Sequence, residues 1–408
     1  MAEEVTYPAA DWTDFDRIGP GTLAGRYLRR FWQPVQRSRD LPAGRAKPIR
    51  IMGEDFTLYR GERPHPNPLP KGEGTGLPPL PLGEGGGEGV PHLVAFRCAH
   101  RGTQLSTGWV EGDGLRCFYH GWKYDGMGQC REQPAEPEPF CPRIKINGYP
   151  VQEYLGLVFA YLGEGDPPPL PRYPDFEAEG VHTTGTYVRD CSFFNSIENG
   201  VDPVHVAFVH RRSAFTDHGL LDVPRVAGEE TEYGVVSRAQ RPGGAVRLTH
   251  HLMPNMLHIK SSPDEEGAGW TDALAWRVPI DDDRHVSFNV TLVHVTGEAA
   301  QRYEARLRAR EAGEPPPVNE LAARIMAGEL HVDDLGQPPY IVGVQDTIAQ
   351  VGQGALADRR GEHLGRSDAV VALIRSIWAR ELQALAEGRP LKQWSRSERV
   401  EATAGAQT

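Results

Sequence analysis

Two short cysteine–histidine pairs constrain the fold of this chain more than any other feature of its sequence. Cys98 and His100 form a C-x-H pair, sixteen residues follow, and Cys117 and His120 form a C-x-x-H pair. Two thiolates and two imidazoles can hold an iron–sulfur cluster, and replacing two of four thiolates by neutral histidines raises the reduction potential of such a cluster. The same ligand types also suit a structural zinc site. They could equally be unrelated residues on two buried strands.

The residues that follow each pair favour a cluster over zinc. Arg101-Gly102 follows the first pair and Gly121-Trp122 the second, so the chain can turn tightly beside a metal group with an aromatic side chain close by. The segments CAHRG and CFYHGW closely resemble the two cluster-binding loops of Rieske oxygenases. The resemblance implies that the two cysteines hold one iron of a [2Fe-2S] cluster and the two histidines hold the other.

Length and charge limit the classes of protein that need to be considered. The 408 residues exceed one ordinary domain, which predicts two domains. The formal net charge of −11, with no basic run to offset it, argues against a nucleic-acid partner. The N-terminus has neither a basic start nor an apolar run, and the apolar stretch at 155–162 is too short to span a bilayer. We therefore expect a cytoplasmic protein without a membrane partner.

The other three cysteines are too few to form a disulfide framework in a chain of this length. Cys130, Cys141 and Cys191 are expected to be reduced, partly buried thiols. A disulfide between Cys130 and Cys141 is an alternative that the sequence leaves open.

Residues 45–162 are predicted to form a small antiparallel β domain, the Rieske [2Fe-2S] domain of the resemblance. Strand-like segments at 49–52 and 56–59 flank the hairpin turn Gly53-Glu54-Asp55. Strand patterning at 92–96 leads directly into the first cysteine–histidine pair. We therefore expect the cluster to lie on two loops at the tips of this domain.

A segment rich in glycine and proline, residues 61–90, interrupts this domain. Glycine and proline make up 16 of its 30 residues, and LPKGEG at 69–74 recurs as LPLGEG at 80–85. Such a composition cannot bury enough apolar surface to offset the entropy of ordering, so we expect a disordered surface insertion. A functional lid is the alternative.

Residues 175–390 are predicted to form a larger domain, an antiparallel sheet covered by helices, which makes the chain α+β. Residues 163–174 are the candidate linker. Residues 1–44 are expected to pack on the larger domain, and residues 391–408 are expected to be a flexible tail. Strand patterning occurs at 187–189, 234–238, 246–253, 256–260 and 286–294, and helical patterning at 23–32, 299–311 and 367–387.

A second group of metal-ligand residue types lies within the larger domain. His205 and His210 are five residues apart, and Asp202 precedes the first of them by three residues. Two histidines and one carboxylate on one face of an iron ion leave open positions for oxygen and substrate. Taken alone, such a group is more often made of surface or core residues.

The pattern N-x-x-D-P-x-H-x-x-x-x-H, which starts at Asn199, resembles the mononuclear iron motif of Rieske aromatic-ring oxygenases of the phthalate and vanillate type. The resemblance implies that His205 and His210 ligate a catalytic Fe(II) and that Asn199 and Asp202 belong to the catalytic machinery. Asp202 would hydrogen-bond His205 and contact a cluster histidine of a neighbouring subunit. An acidic residue favoured at a helix N-terminus is the alternative for Asp202.

The third iron ligand must be a carboxylate from elsewhere in the chain. Gln345-Asp346-Thr347 and the segment that follows it resemble the C-terminal signature of the same subgroup, which implies Asp346 as the ligand. Asp358 and Glu362 are rivals by residue type, but they lie in what looks like a solvated charge run.

The resemblance covers nearly the whole chain and implies a terminal oxygenase component. Such a component uses O2 to hydroxylate, dihydroxylate or demethylate an aromatic or related small organic substrate. No dinucleotide fingerprint occurs in the sequence, so electrons from NAD(P)H would arrive through a separate reductase or ferredoxin. Electron transfer between subunits implies a ring, and the subgroup suggests a homotrimer. A Rieske electron-transfer protein and a binding protein with a degenerate site are the alternatives.

The substrate pocket is predicted only from residues near the iron motif and on the expected sheet, with ordinary core packing as the alternative. The predicted pocket residues are Asn195, Phe208, Met253, Met256 and Trp276.

Overall fold

A computed structural model describes six stretches of the chain, and these divide into two compact units. The described residues are 12–62, 89–211, 221–244, 246–261, 271–313 and 316–394. The small unit comprises Arg29–Pro171 and Thr184–Thr186. The large unit comprises Met1–Leu28, Arg172–Thr183 and Tyr187–Thr408.

The first boundary between the units falls earlier than the expected position after residue 44. Helix α1, Leu23–Leu28, belongs to the large unit, but strand β1, Trp32–Arg37, pairs with Leu157–Tyr161 of the small unit. The predicted helix over 23–32 is therefore too long, because the chain has already turned into a strand at Trp32. Of the predicted insertion at 61–90, residues 63–88 lie outside the described part of the chain.

The start of the predicted C-terminal tail is held on the large unit. The indole N–H of Trp394 donates to the hydroxyl of Tyr27 at 3.0 Å. The ammonium group of Lys392 donates to the carboxylate of Glu230 at 2.7 Å. Residues 391–394 are thus attached, and the remainder of the predicted tail, 395–408, lies outside the described residues.

The small unit contains antiparallel sheets in the strand orders β1-β11-β10, β2-β3-β4-β9 and β5-β6-β7-β8. The predicted hairpin is confirmed, although its turn is Met52-Gly53, because Ile51 pairs with Glu54. The strands after β1 are β2 Arg45–Ile51, β3 Glu54–Arg60, β4 Pro91–Ala95, β5 Trp109–Glu111, β6 Gly114–Arg116, β7 Lys123–Tyr124, β8 Cys130–Glu132, β9 Gly148–Tyr149, β10 Val151–Tyr154 and β11 Leu157–Tyr161.

The two cysteine–histidine loops leave from strand ends of the small unit. Cys98 follows β4 by three residues, and Cys117 follows β6 directly. Both cysteines belong to one buried apolar cluster, which also includes Leu105, Leu115 and Tyr124. This cluster fixes the base of both loops.

The large unit is built on a sheet of seven described strands in the order β12-β18-β17-β16-β15-β14-β13. Strands β13 to β18 form a meander in which each pairs antiparallel with the next. Its strands are β12 Val181–Arg189, β13 Arg225–Glu230, β14 Gly234–Gln240, β15 Val246–Leu252, β16 Met256–Ser261, β17 Thr271–Asp281 and β18 Arg284–Val293. Its helices after α1 are α2 Phe193–Val201, α3 His205–Val209, α4 Gly297–Glu311, α5 Val318–Met326, α6 Ile341–Val351 and α7 Ala369–Ala386.

The α+β class is confirmed, and each strand predicted for the larger domain lies within or overlaps an observed one. Two strands were missed. Strand β13 is an exposed, polar edge strand. Strand β17 carries an arginine and a proline within an otherwise apolar run, which hides the usual strand pattern. Within the described residues, no helix is both long enough and apolar enough to cross a membrane.

All five cysteines are free thiols, so the alternative disulfide between Cys130 and Cys141 does not form. Cys130 and Cys191 are buried and Cys141 is half-buried, which agrees with the expectation of reduced, partly buried thiols. Burial, with Cys141 close by, raises the pKa of the Cys130 thiol to about 12.

An aromatic cluster anchors α2, the helix that leads to the predicted iron motif. Trp378 of α7 is fully buried, and its ring centroid lies 5.2 Å from that of Tyr27 and 5.4 Å from that of Phe194. Helix α2 begins after Ser192, whose hydroxyl accepts a hydrogen bond from the N–H of Phe194 at 3.1 Å. The cap fixes where α2 begins, and the packing of Phe194 on Trp378 holds the helix in place.

We expect Trp378→Ala to lower the free energy of unfolding by about 3–5 kcal/mol, because it leaves a cavity in this cluster. Chemical unfolding followed by circular dichroism measures the change. Met326→Ala, which shortens an exposed side chain on α5, is the matched control and should cost much less. Equal losses in the two variants would contradict the importance of this cluster.

Candidate metal centres and the adjoining cavity

The two cysteine–histidine loops share one construction. In each loop the cysteine N–H donates to the carbonyl five residues later, at 2.9 Å for Cys98 and 2.8 Å for Cys117. The N–H of the glycine four residues later donates back to the cysteine carbonyl, at 2.9 Å for Gly102 and 3.1 Å for Gly121. These glycines have φ of +76° and +73°, a left-handed conformation that favours glycine. The predicted tight turns beside the metal group are therefore present.

His100 and His120 lie side by side where the two loops meet. Their ring centroids are 4.5 Å apart, at an angle of 68°. The indole of Trp122 stacks on His100 at 4.6 Å, which places the predicted aromatic side chain beside the pair. The Nδ1 atom of His100 is buried and has no hydrogen-bond partner among the described residues. It is therefore available to a metal ion.

The two motif cysteines present buried sulfur atoms to the same place. Burial raises the pKa of the Cys117 thiol, the N–H groups of Tyr119 and His120 that point at its sulfur lower it, and the nearby Cys98 thiol raises it further. The hydroxyl of Tyr124 lies 3.2 Å from the sulfur of Cys98. A metal cation displaces thiol protons and leaves thiolates, the ligands that iron–sulfur clusters use. The donor set thus fits a [2Fe-2S] cluster.

The structure brings His205, His210 and Asp346 together in the large unit. One ligand atom from each lies within 4.8 Å of the other two. Nε2 of His210 is 3.3 Å, and Nε2 of His205 is 3.8 Å, from Oδ1 of Asp346. That oxygen is buried and accepts no well-directed hydrogen bond within the described ranges. Two imidazoles and a carboxylate in this arrangement fit a mononuclear ferrous ion.

The charges around Asp346 keep it anionic. Burial acts to raise the pKa of this carboxyl, but the adjacent His210, the guanidinium of Arg189 at 3.8 Å and His205 together hold the pKa below its ordinary value. Burial likewise acts to lower the pKa of His205, but the carboxylates of Asp202 and Asp346 raise it above its ordinary value. The site therefore offers the negative charge that a divalent cation requires.

Gln345 orients one of the two histidines, a role that the sequence analysis did not assign. Nδ1 of His210 is 2.9 Å from Oε1 of Gln345, in a hydrogen bond in which the ring N–H donates to the amide oxygen. The other ring nitrogen, Nε2, then faces Asp346. An outer hydrogen bond of this kind fixes the orientation and tautomer of a metal-binding histidine. The only sequence signal was the position of Gln345 next to Asp346.

Arg189 of β12 ties the helix that carries Asp346 to the sheet. Its guanidinium donates to the hydroxyl of Thr347 at 3.2 Å and to the amide oxygen of Gln350 at 2.8 Å. The amide group of Gln350 in turn donates to the side-chain oxygen of Asn199 at 2.8 Å. Asn199, predicted to be catalytic, therefore belongs to this network and also lines the cavity beside the metal ligands.

Asp202 ends α2 and precedes α3. Its Oδ1 accepts a hydrogen bond from the N–H of Val204 at 2.7 Å. Its Oδ2 lies 3.7 Å from Nδ1 of His205, which is beyond hydrogen-bond distance but close enough for a charge interaction. The direct hydrogen bond that the resemblance implies is thus not formed in this arrangement.

The rival carboxylates lie apart from the two histidines and have basic partners of their own. Asp358 is exposed and pairs with Arg360 at 2.8 Å. Glu362 pairs with Arg375 at 2.5 Å. Asp346 is the carboxylate that the structure places beside His205 and His210.

A cavity of about 170 Å³ opens beside these three side chains. One wall is the sheet face formed by alternate residues of β14 to β17, as the two-residue period of a strand requires. A second cavity, of about 400 Å³, reaches Asp346 from the side of β12 and α5. The sheet-wall residues of the first cavity are Ser237, Ala239, Arg247, Thr249, Leu257, Ile259 and Arg277.

None of the five predicted pocket residues lines this cavity. Asn195 is buried and donates to the carbonyl groups of Gln350 and Gly354 at 3.3 and 3.2 Å. Met256 and Trp276 are paired across β16 and β17 and face the opposite side of the sheet from Leu257. Met253 is buried as well, whereas Phe208 is 58% exposed. Asn195, Met253, Met256 and Trp276 are buried core residues, as the alternative of ordinary core packing predicted. For Met256 and Trp276 the reason is that strand pairing sets which sheet face lines the cavity.

Comparison with known proteins gives one match for the small unit and several along the whole chain. Residues 31–154 match the Rieske [2Fe-2S] domain. The chain is 31% identical over 398 residues to phenoxybenzoate dioxygenase subunit alpha of Ectopseudomonas oleovorans, covering 91% of this chain and 84% of the relative. It is 28% identical over 404 residues to the 5,5'-dehydrodivanillate O-demethylase oxygenase subunit of Sphingobium sp., covering 92% and 80%.

The fold also matches a solved structure. The terminal oxygenase of carbazole 1,9a-dioxygenase from Novosphingobium sp. KA1 superposes with a TM-score of 0.62, covering 90% of this chain and 95% of that chain. The two chains are 20% identical, so this likeness is one of fold.

We expect Gln345→Leu to weaken ferrous-ion binding at the histidine–aspartate site by about 10–100-fold, because the ring of His210 loses its outer hydrogen bond. Anaerobic titration against a competing chelator measures the affinity. Gln353→Leu, an exposed glutamine just beyond the end of α6, is the matched control and should bind as the unaltered protein does. An unchanged affinity in Gln345→Leu would show that the bond to His210 is dispensable.

Proposed function

The chain belongs to the Rieske oxygenase family, and from that premise we propose that it is a terminal oxygenase component. It would use O2 and externally supplied electrons to hydroxylate, dihydroxylate or demethylate an aromatic or related small organic substrate. The observation that carries this proposal is the convergence of His205, His210 and Asp346 within 4.8 Å, on the edge of a cavity. A Rieske electron-transfer protein, the alternative, has no use for such a site.

The cofactors of this family are a [2Fe-2S] cluster and a mononuclear ferrous ion. Cys98, Cys117, His100 and His120 would hold the cluster, and His205, His210 and Asp346 would hold the ferrous ion. When bound, the cluster supplies single electrons and the ferrous ion supplies the open positions at which oxygen chemistry occurs.

Side chains around the histidine–aspartate site orient its ligands and keep its carboxylate charged. Gln345 keeps Nε2 of His210 directed at Asp346, and Arg189 helps to keep Asp346 anionic. Asp202 stands on the other side of His205, where its free oxygen can receive the ring N–H after a small movement. We infer that Asp202 would connect His205 to a cluster histidine of a neighbouring subunit and so would lie on the route for electrons when both groups are bound.

The electron donor is a separate reductase or ferredoxin, since the sequence has no dinucleotide fingerprint. We propose a homotrimer, because in a closed ring every subunit has a neighbour with which electrons could be exchanged. We also propose a cytoplasmic location, where a reductase can draw on the NAD(P)H pool.

The proposed function predicts about three irons per chain, two in the cluster and one held by His205, His210 and Asp346. A carrier without oxygenase chemistry would hold about two. His205→Ala should lose about one iron and all turnover, while the paramagnetic signal of the reduced cluster stays unchanged. Iron analysis and electron paramagnetic resonance on the same samples measure both. Loss of the cluster signal as well would contradict the assignment of His205 to a separate site.

Asp202→Asn should retain iron at both sites but lose most of its turnover with a reductase, because a neutral amide cannot take the place of the carboxylate beside His205. Single-turnover oxidation of the reduced cluster measures the rate of electron transfer out of the cluster. Asp190→Asn, which changes an exposed aspartate just before α2, is the matched control. A normal oxidation rate in Asp202→Asn would remove this residue from the electron route.

A further inference from the structure

The cavity beside the three metal-ligand side chains has an excess of positive charge. Arg241, Arg247 and Arg277 line it, and its lining carboxylates are Asp202 and Asp346. Both carboxylates are directed towards the two histidines of the metal site. A bound ferrous ion would add further positive charge, so the lining of the cavity carries more positive than negative groups.

Arg277 is the best-placed of the three to meet a ligand. It lies within β17, on the cavity face of the sheet, and is 8% exposed. Its Nε and Nη1 atoms are buried and have no hydrogen-bond partner in the described part of the chain. The guanidinium carbon lies 5.8 Å from the centroid of the Tyr187 ring. A side chain that lines the cavity thus carries two donor atoms without an acceptor.

Arg247 adds a second charge on the same sheet face. It pairs with Ala239 across β14 and β15, and both residues line the cavity. Burial and the neighbouring Arg241 lower the pKa of Arg247, and burial lowers the pKa of Arg277. Like charges thus repel within a partly desolvated space, a situation that an anionic ligand would relieve.

An unpaired buried guanidinium costs free energy, because it has lost water without gaining a partner. A carboxylate is the group whose two oxygens match the planar fork of donors on arginine. The cavity volume of about 170 Å³ is close to that of an engineered cavity of about 150 Å³ that binds benzene. One ring bearing an acid group therefore suits the space.

We propose that this cavity selects an organic carboxylate, whose acid group binds Arg277 and Arg247 on the sheet wall and whose ring points towards His205, His210 and Asp346. This inference rests on the proposed function of the same site and names the class of its substrate. The position of the acid group sets which carbon or methoxy group of the ligand faces the metal site.

The test is equilibrium binding to the anaerobic holoenzyme, measured by calorimetry with benzoate, 4-methoxybenzoate and cyclohexanecarboxylate, each compared with its primary amide. We expect at least one acid to bind about tenfold or more tightly than its amide. Arg277→Met and Arg247→Gln should each remove that preference. Arg238→Gln, which removes the same charge from an exposed position on β14, should keep it.

Two results would overturn the proposal. One is that no acid binds more tightly than its amide. The other is that the preference persists in Arg247→Gln, which would place the acid group elsewhere, for example on the metal ion. Arg247 is only half-buried, so this variant tests the proposal even if Arg277→Met fails to fold. Iron analysis of the same samples distinguishes a wrong substrate class from a wrong function. A full iron content without a preference for acids rejects only the substrate class. A missing mononuclear iron rejects the proposed oxygenase function.

Discussion

The candidate metal site of the large unit is organised around the carboxylate of Asp346, whose Oδ1 atom is buried. A carboxylate in this position would be costly to bury alone. It is stabilised by His210 at 3.3 Å, by His205 at 3.8 Å and by Arg189 at 3.8 Å. These partners come from the α2–α3 segment and from strand β12, while Asp346 itself lies on α6. The contacts of this one carboxylate thus hold three distant parts of the chain together. The same contacts form the candidate cation site.

One face of the seven-stranded sheet packs in the core, and the other lines the cavity. One face carries apolar side chains such as Met256 and Trp276, which are buried in the core. The other face lines the cavity with a mixture of basic and polar side chains, Arg277 among them, and the apolar side chains of Leu257 and Ile259. Because neighbouring residues of a strand alternate between the faces, a core and a binding wall can be built from the same strands. For the same reason, a shift of one residue in strand register would turn the core-facing side chains of that strand towards the cavity and the cavity-facing ones towards the core.

The sequence alone predicted the features whose chemistry is local. The cysteine–histidine loops could be identified because ligands, glycines and Trp122 follow one another within a few residues, and the hairpin at Ile51 and Glu54 because its strands adjoin. The pocket could not be predicted, since it depends on which strand faces meet across long separations in sequence. Arg277 was missed for a related reason: it interrupts the apolar pattern of β17, so the strand itself was not predicted. Gln345 was missed as an orienting residue because its contact with His210 crosses 135 positions of the chain.

We propose that His205, His210 and Asp346 enclose an iron ion distinct from the cluster. A crystal structure of the iron-loaded protein, with anomalous diffraction recorded at the iron absorption edge, tests this most directly. We predict two peaks per chain, a strong one between the two cysteine–histidine loops and a weaker one enclosed by these three side chains. A strong peak at the loops with none beside Asp346, in protein whose mononuclear site has been supplied with ferrous iron, would contradict it.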